Sequence, residues 1–159
     1  MGYRFDYLVA AMPCWHCASV SPPDASLEMT TRLRDDPRLA YLGAGDELPV
    51  DTPRALRAGY LPLHEPEPGA PVVLLHQWTC PACGNMYNWA EVVVSDGVIT
   101  SIQAVDLNRG AVTRAHYIVD DVREIAADLA GVRSWLDVSD DEVVRILTEK
   151  LPVDGGWRP

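Results

Sequence analysis

Thr79-Cys80-Pro81-Ala82-Cys83-Gly84, read together with Pro13-Cys14-Trp15-His16-Cys17, is the pattern on which this fold turns. The two Cys-x-x-Cys pairs hold every cysteine in the chain, and together they point to a bound metal, zinc foremost. Two residues between cysteines let one tight turn present both sulfurs to one ion, and zinc accepts thiolates tetrahedrally at about 2.3 Å. In the second pair Pro81 pre-sets the turn, and Gly84 is free to take the positive φ that aims backbone N–H groups at sulfur. Such donors are needed because a tetrathiolate zinc site carries a formal charge of roughly −2, which outer groups must offset. In the first pair Ala18 stands where Gly84 stands in the second, so its turn is expected to be less regular.

The combination Cys-x-x-Cys … Cys-Pro-x-Cys-Gly resembles the zinc-ribbon and rubredoxin-like families, in which each pair caps a β-hairpin knuckle. The resemblance covers the two knuckles and their flanking strands. It is specific for metal binding and unspecific for function, since such ribbons occur in transcription factors, enzymes and adaptors. It implies that Cys14, Cys17, Cys80 and Cys83 are the four ligands of one structural zinc per chain. Iron in a rubredoxin-like site would use the same four. Between Cys17 and Cys80 lie 62 residues, long for a minimal ribbon, so residues 18–71 are expected to form a folded insertion. Two disulfides are the rival reading, but nothing resembles a signal peptide and such close pairs are unusual as structural disulfides in a reducing compartment. A thioredoxin-type motif would need one pair at a strand-to-helix junction.

Composition bounds the rest. The chain has 159 residues and is 48% hydrophobic, which suits one domain with a core of its own. Closing the loop between the knuckles costs roughly 4 kcal/mol, whereas a structural zinc supplies on the order of 10 kcal/mol or more. The metal should win easily. A formal charge of −10 and a pI near 4.6 disfavour nucleic acid, whose recognition needs a basic face. No apolar run approaches membrane length, so the expectation is a soluble, cytoplasmic protein with no membrane contact.

Along the chain, period-two alternation places Tyr3, Phe5, Tyr7 and Val9 on one face of a first strand over 3–12. Alternation of Leu27, Met29, Thr31 and Leu33 suggests another strand over 26–34, with a helix as alternative. Asp51-Thr52-Pro53 opens a short helix, and the four prolines of 62–71 mark an exposed loop. Residues 71–78, 86–94 and 98–105 read as strands, the last two joined by Ser95-Asp96-Gly97. Beyond Asp106 the period becomes helical. Residues 107–117 are ambiguous because of Gly110. A helix begins at Asp121, with Glu124 in a capping box and Gly131 as its stop. Another begins at Ser139, with Glu142 completing the box, Val138 and Val143 as the staple and Pro152 as its end. The expected fold is α+β: a mainly antiparallel sheet carrying the zinc ribbon, followed by C-terminal helices. It divides into a β-rich part at 1–106 and a helical segment at 107–159 packed on it.

Little in the sequence signals catalysis. His64-Glu65 begins like a zincin motif, but Pro66 breaks the helix and no second histidine follows. His76 and Trp78 share a strand face, which favours packing. The acidic doublets Asp35-Asp36, Asp120-Asp121 and Asp140-Asp141 sit at turns and helix starts, where carboxylates suit the positive end of the helix dipole. Four thiolates also close the coordination sphere that a catalytic zinc keeps open. Trp15 and His16, inside the first knuckle, are candidates for a partner contact or for support of the ligands. The leading expectation is a non-catalytic protein-interaction, adaptor or regulatory module. One form is a small immunity-type neutraliser of a basic partner, where acidity speeds association. Rivals are electron transfer through an iron–tetrathiolate centre, and an enzyme or accessory subunit with a pocket in 18–71 that uses His64 or Asp46.

Overall fold

The computed structural model describes residues 5–34, 36–134, 136 and 138–159; Tyr3 and Asp35 therefore lie outside the described residues. The element order is β1 (Asp6–Leu8), β2 (Thr30–Thr31), β3 (Tyr41–Leu42), α1 (Thr52–Arg57), β4 (Tyr60–Pro62), β5 (Val72–Trp78), β6 (Asn88–Ser95), β7 (Val98–Val105), α2 (Arg109–Arg114), β8 (Tyr117–Val119), α3 (Val122–Ala130) and α4 (Asp140–Lys150). The fold is α+β with two mainly antiparallel sheets, ordered β2-β1-β3 and β4-β8-β5-β6-β7. Two pairings are parallel, β1 with β3 and β5 with β8.

The five-stranded sheet is covered on both faces, and β5 shows how. Leu74 and Trp78 enter one apolar cluster, with Leu8, Met12, Leu27, Met29 and Leu48 from the N-terminal layer. Leu75 enters the other, with Val112, Val122, Ile125, Val143 and Leu147 from the helices. Strand alternation does the sorting. His76 falls on the first face and is buried there, as its shared face with Trp78 predicts. β6 and β7 meet at Asp96 (φ 51) and Gly97 (φ 76), the two positive-φ positions that a tight two-residue hairpin demands. The far edge of β7 is met at its start: Gly45 and Leu48 donate to the carbonyls of Ile99 and Gly97, so the insertion covers the first residues of that edge.

Several expectations are corrected here. The strand over 3–12 is confined to Asp6–Leu8, and its core face carries Asp6 and Leu8 while Tyr7 turns outward to stack on Tyr41. Asp6 tolerates burial because the Arg34 guanidinium grips both its oxygens at 2.9 Å and the Ala40 N–H adds a third bond. Over 26–34 the alternation is real, with Leu27, Met29, Thr31 and Leu33 buried, yet only Thr30–Thr31 finds a ladder partner, and Ala25–Leu27 closes a 3-10 turn. The segment 107–159 is not helical throughout: β8 inserts between β4 and β5. Asp121 makes no side-chain cap, so no capping box opens α3, although Gly131 ends it in the left-handed conformation at φ 71. Asp51 caps α1 through the Arg54 N–H, and Ser139 caps α4 through the Glu142 N–H, the latter as read from the sequence. Among the described residues no helix is long and apolar enough to cross a membrane.

Candidate metal centre

Each cysteine pair sits on the tip of a hairpin. The second tip joins β5 to β6, while the first stands on an isolated antiparallel bridge between Pro13 and Val20, braced by a Ser21 N–H to Met12 carbonyl bond of 2.9 Å. The two tips repeat one hydrogen-bond pattern. Ala18 N–H donates to the Cys14 carbonyl at 2.9 Å and Gly84 N–H to the Cys80 carbonyl at 2.8 Å. Cys14 N–H reaches the Ser19 carbonyl at 3.0 Å and Cys80 N–H the Asn85 carbonyl at 2.8 Å. Ala18 adopts φ 64 beside φ 77 at Gly84. The first turn is thus as regular as the second, contrary to expectation, and Ala18 bears the left-handed strain that glycine avoids.

The hairpins face each other so that the four sulfurs all lie within 4.8 Å of one another. Across the gap, Cys14 Sγ is 3.8 Å from Cys83 Sγ and Cys17 Sγ is 3.7 Å from Cys80 Sγ. A tetrahedron with metal–sulfur bonds of about 2.3 Å has edges of about 3.8 Å. The donor set therefore fits a single ion. In both knuckles the first cysteine is buried, whereas Cys17 is half-buried and Cys83 exposed.

Donors surround the sulfur of Cys14 in particular. His16 offers its backbone N–H at 3.4 Å, Asn88 its amide at 3.5 Å and Asn85 its amide at 3.9 Å. Burial pushes the Cys14 thiol up, but hydrogen bonds from the Cys17 and His16 backbone and the Asn88 amide outweigh it and bring it down to about 6. Cys17 is lowered by the Ser19 hydroxyl and backbone N–H. At Cys83 the Asn85 N–H lowers the value, yet local desolvation and the three neighbouring sulfurs raise it to about 12. Neighbouring negative sulfurs resist further charge, and a cation at their centre would relieve that repulsion.

The structure brings all four sequence-predicted ligands together. His16 is exposed, and it is its backbone and not its ring that serves the thiolate. Trp15 folds back: its indole donates to the Tyr87 carbonyl at 2.9 Å, its backbone N–H to Asn88 Oδ1 at 3.3 Å, and Arg158 lies 4.4 Å above its ring. Sequence reasoning missed Asn85 and Asn88. Their signal was a pair of amides directly after the knuckle, with Asn88 opening a strand whose next residues are apolar. No family model, curated protein or solved structure matches this chain.

The other candidates are dispersed. His64 lines an open cleft with Thr52, Leu63 and Tyr117, whose two hydroxyls bond each other at 2.6 Å, and Asp46 is not among the lining residues. Asp46 instead accepts the Gly43 N–H in a turn. His76 is buried, and its Nε2 meets the Tyr60 hydroxyl, which meets Thr31 Oγ1 at 3.0 Å. The acids of two doublets serve arginines, Asp120 and Asp140 both pairing with Arg123.

Proposed function

We propose that this chain is a non-catalytic, zinc-clipped interaction module whose acidic surface engages another protein of basic character. The observation that carries the reading is the tetrathiolate arrangement, in which four sulfurs at zinc-like spacing occupy every coordination position a tetrahedral ion offers. Zinc held so is a staple joining the N-terminal layer to the tip of the central sheet. Cys14, Cys17, Cys80 and Cys83 would hold it, with Asn85, Asn88 and the His16 N–H offsetting its negative shell. A charge of −10 favours a basic protein partner and disfavours nucleic acid.

Elemental analysis with a visible spectrum, on protein purified without added metal, tests the first half. One zinc per chain in a colourless sample supports it. Iron with strong visible absorption would instead favour electron transfer, since iron accepts the same ligands. The second half predicts an association rate with a basic partner that falls as salt is added, because steering between opposite charges is screened. A rate indifferent to salt overturns the charge argument.

A further inference from the structure

A cleft of about 290 Å³ opens between α3 and the second knuckle, away from the metal ligands. Tyr87 and Trp157 form its aromatic wall, packed edge to face with centroids 5.7 Å apart, and Ile125 adds apolar surface. Asp121, Glu124 and Asp128 line it as well, from the N-cap and body of α3. Their spacing puts three carboxylates on one helix face over about 10 Å. None of the three has an ion-pair partner among the described residues, whereas Asp120, Asp140, Glu142 and Glu149 nearby all pair with arginine. The protein's own Arg158 is engaged elsewhere, over Trp15.

We propose that this cleft receives an arginine side chain from a basic segment of the partner protein, an inference that rests on the interaction reading above. Charge complementarity selects the occupant. A guanidinium can lie against an indole or phenol face while its fork of N–H donors meets carboxylates in plane, which a compact ammonium does less well. The open volume sits near the lower limit of small-molecule pockets, and suits one inserted side chain.

The probe is the peptide Gly-Arg-Gly-Arg-Gly, with its lysine counterpart, titrated into the metal-loaded full chain while backbone and indole N–H signals are followed by NMR. Shifts should centre on Trp157, Tyr87 and α3, and the arginine peptide should bind more tightly than the lysine one. The double variant Glu124→Gln/Asp128→Asn should weaken binding about tenfold or more, the worth of a charged hydrogen bond. Asp141→Asn/Asp154→Asn removes the same charge outside the cleft and should leave affinity within about twofold. Equal weakening by both pairs would show a diffuse attraction and overturn the cleft. So would shifts centred elsewhere, a preference for lysine, or no binding at all. None of these touches the interaction reading, which stands or falls on the partner's salt-dependent association.

Discussion

Ala18 and Asn88 are the residues at which the metal centre is most open to test. Ala18 holds a left-handed backbone that costs an L-residue about 1–2 kcal/mol. Ala18→Gly relieves that strain at some cost in unfolded-chain entropy, so thermal unfolding of the metal-loaded protein should show about 0.5–1 kcal/mol of gain. Gly84→Ala, at φ 77, should lose about 1 kcal/mol by the same measure. A destabilised Ala18→Gly would mean that the methyl group itself is needed. Asn88 is buried, donates to Cys14 Sγ and accepts the Trp15 N–H, so it fixes both a ligand and the first knuckle's backbone. Asn88→Ala should weaken metal retention about 10–100-fold in competition with a chelator, as loss of a supporting hydrogen bond does. Asn88→Asp, which adds negative charge beside the thiolates, should be at least as damaging.

Between strands, a buried chain of hydroxyls and imidazole ties the layers together: Thr31 on β2, Tyr60 on β4 and His76 on β5. Burial lowers the His76 ring from 6.5 to about 3 and raises the Tyr60 phenol, so both stay neutral. Between those two values for His76 the unfolded chain binds a proton that the native state refuses. Stability is therefore full above about pH 6.5 and drains as pH falls toward about 3, with roughly 2–3 kcal/mol gone by about pH 4.5. His76→Leu should be less stable at neutral pH yet decline less between about pH 6.5 and 4.5. Urea unfolding across that range decides it, and parallel curves for the two proteins would exclude the ring as the source. The same elements show what could be read in advance. β5, β6 and β7 announced themselves through β-branched runs and a tight turn, and α4 through its cap and staple. β4 and β8 did not, because Tyr60-Leu61 and Tyr117-Ile118 are buried on both faces, where period-two alternation vanishes. The core face of β1 was hidden too, since burying Asp6 makes sense only once Arg34, distant in sequence, is seen beside it.

Across the whole molecule the four candidate ligands were legible, because their spacing is local, while the two amides after the second knuckle gave only a faint signal until folding brought Asn85 and Asn88 onto Cys14. That long reach governs what metal removal should do. One apolar cluster packs Leu8, Met12, Leu27 and Met29 against the long strands β5–β7, and its N-terminal side comes from short pieces, since β1, β2 and β3 span three, two and two residues. Such pieces supply few ladder bonds, so the layer depends on its side-chain packing and on the clip between residues 14–17 and 80–83. The other cluster joins α2, α3 and α4 to the long strands β5 and β6 without using either knuckle. Stripping a bound ion would remove a clip worth on the order of 10 kcal/mol and leave four crowded sulfurs at the junction, whose thiolates repel one another until they take up protons. Amide exchange should accordingly rise first and most in Asp6–Leu8, Thr30–Thr31 and the two knuckles, with β5–β7 and α4 protected for longer. Simultaneous loss of protection everywhere would show that the helical layer has no stability of its own. Unchanged protection in the knuckles would show that the sulfurs hold their places without a metal, and the clip would then be a binding site and not a staple.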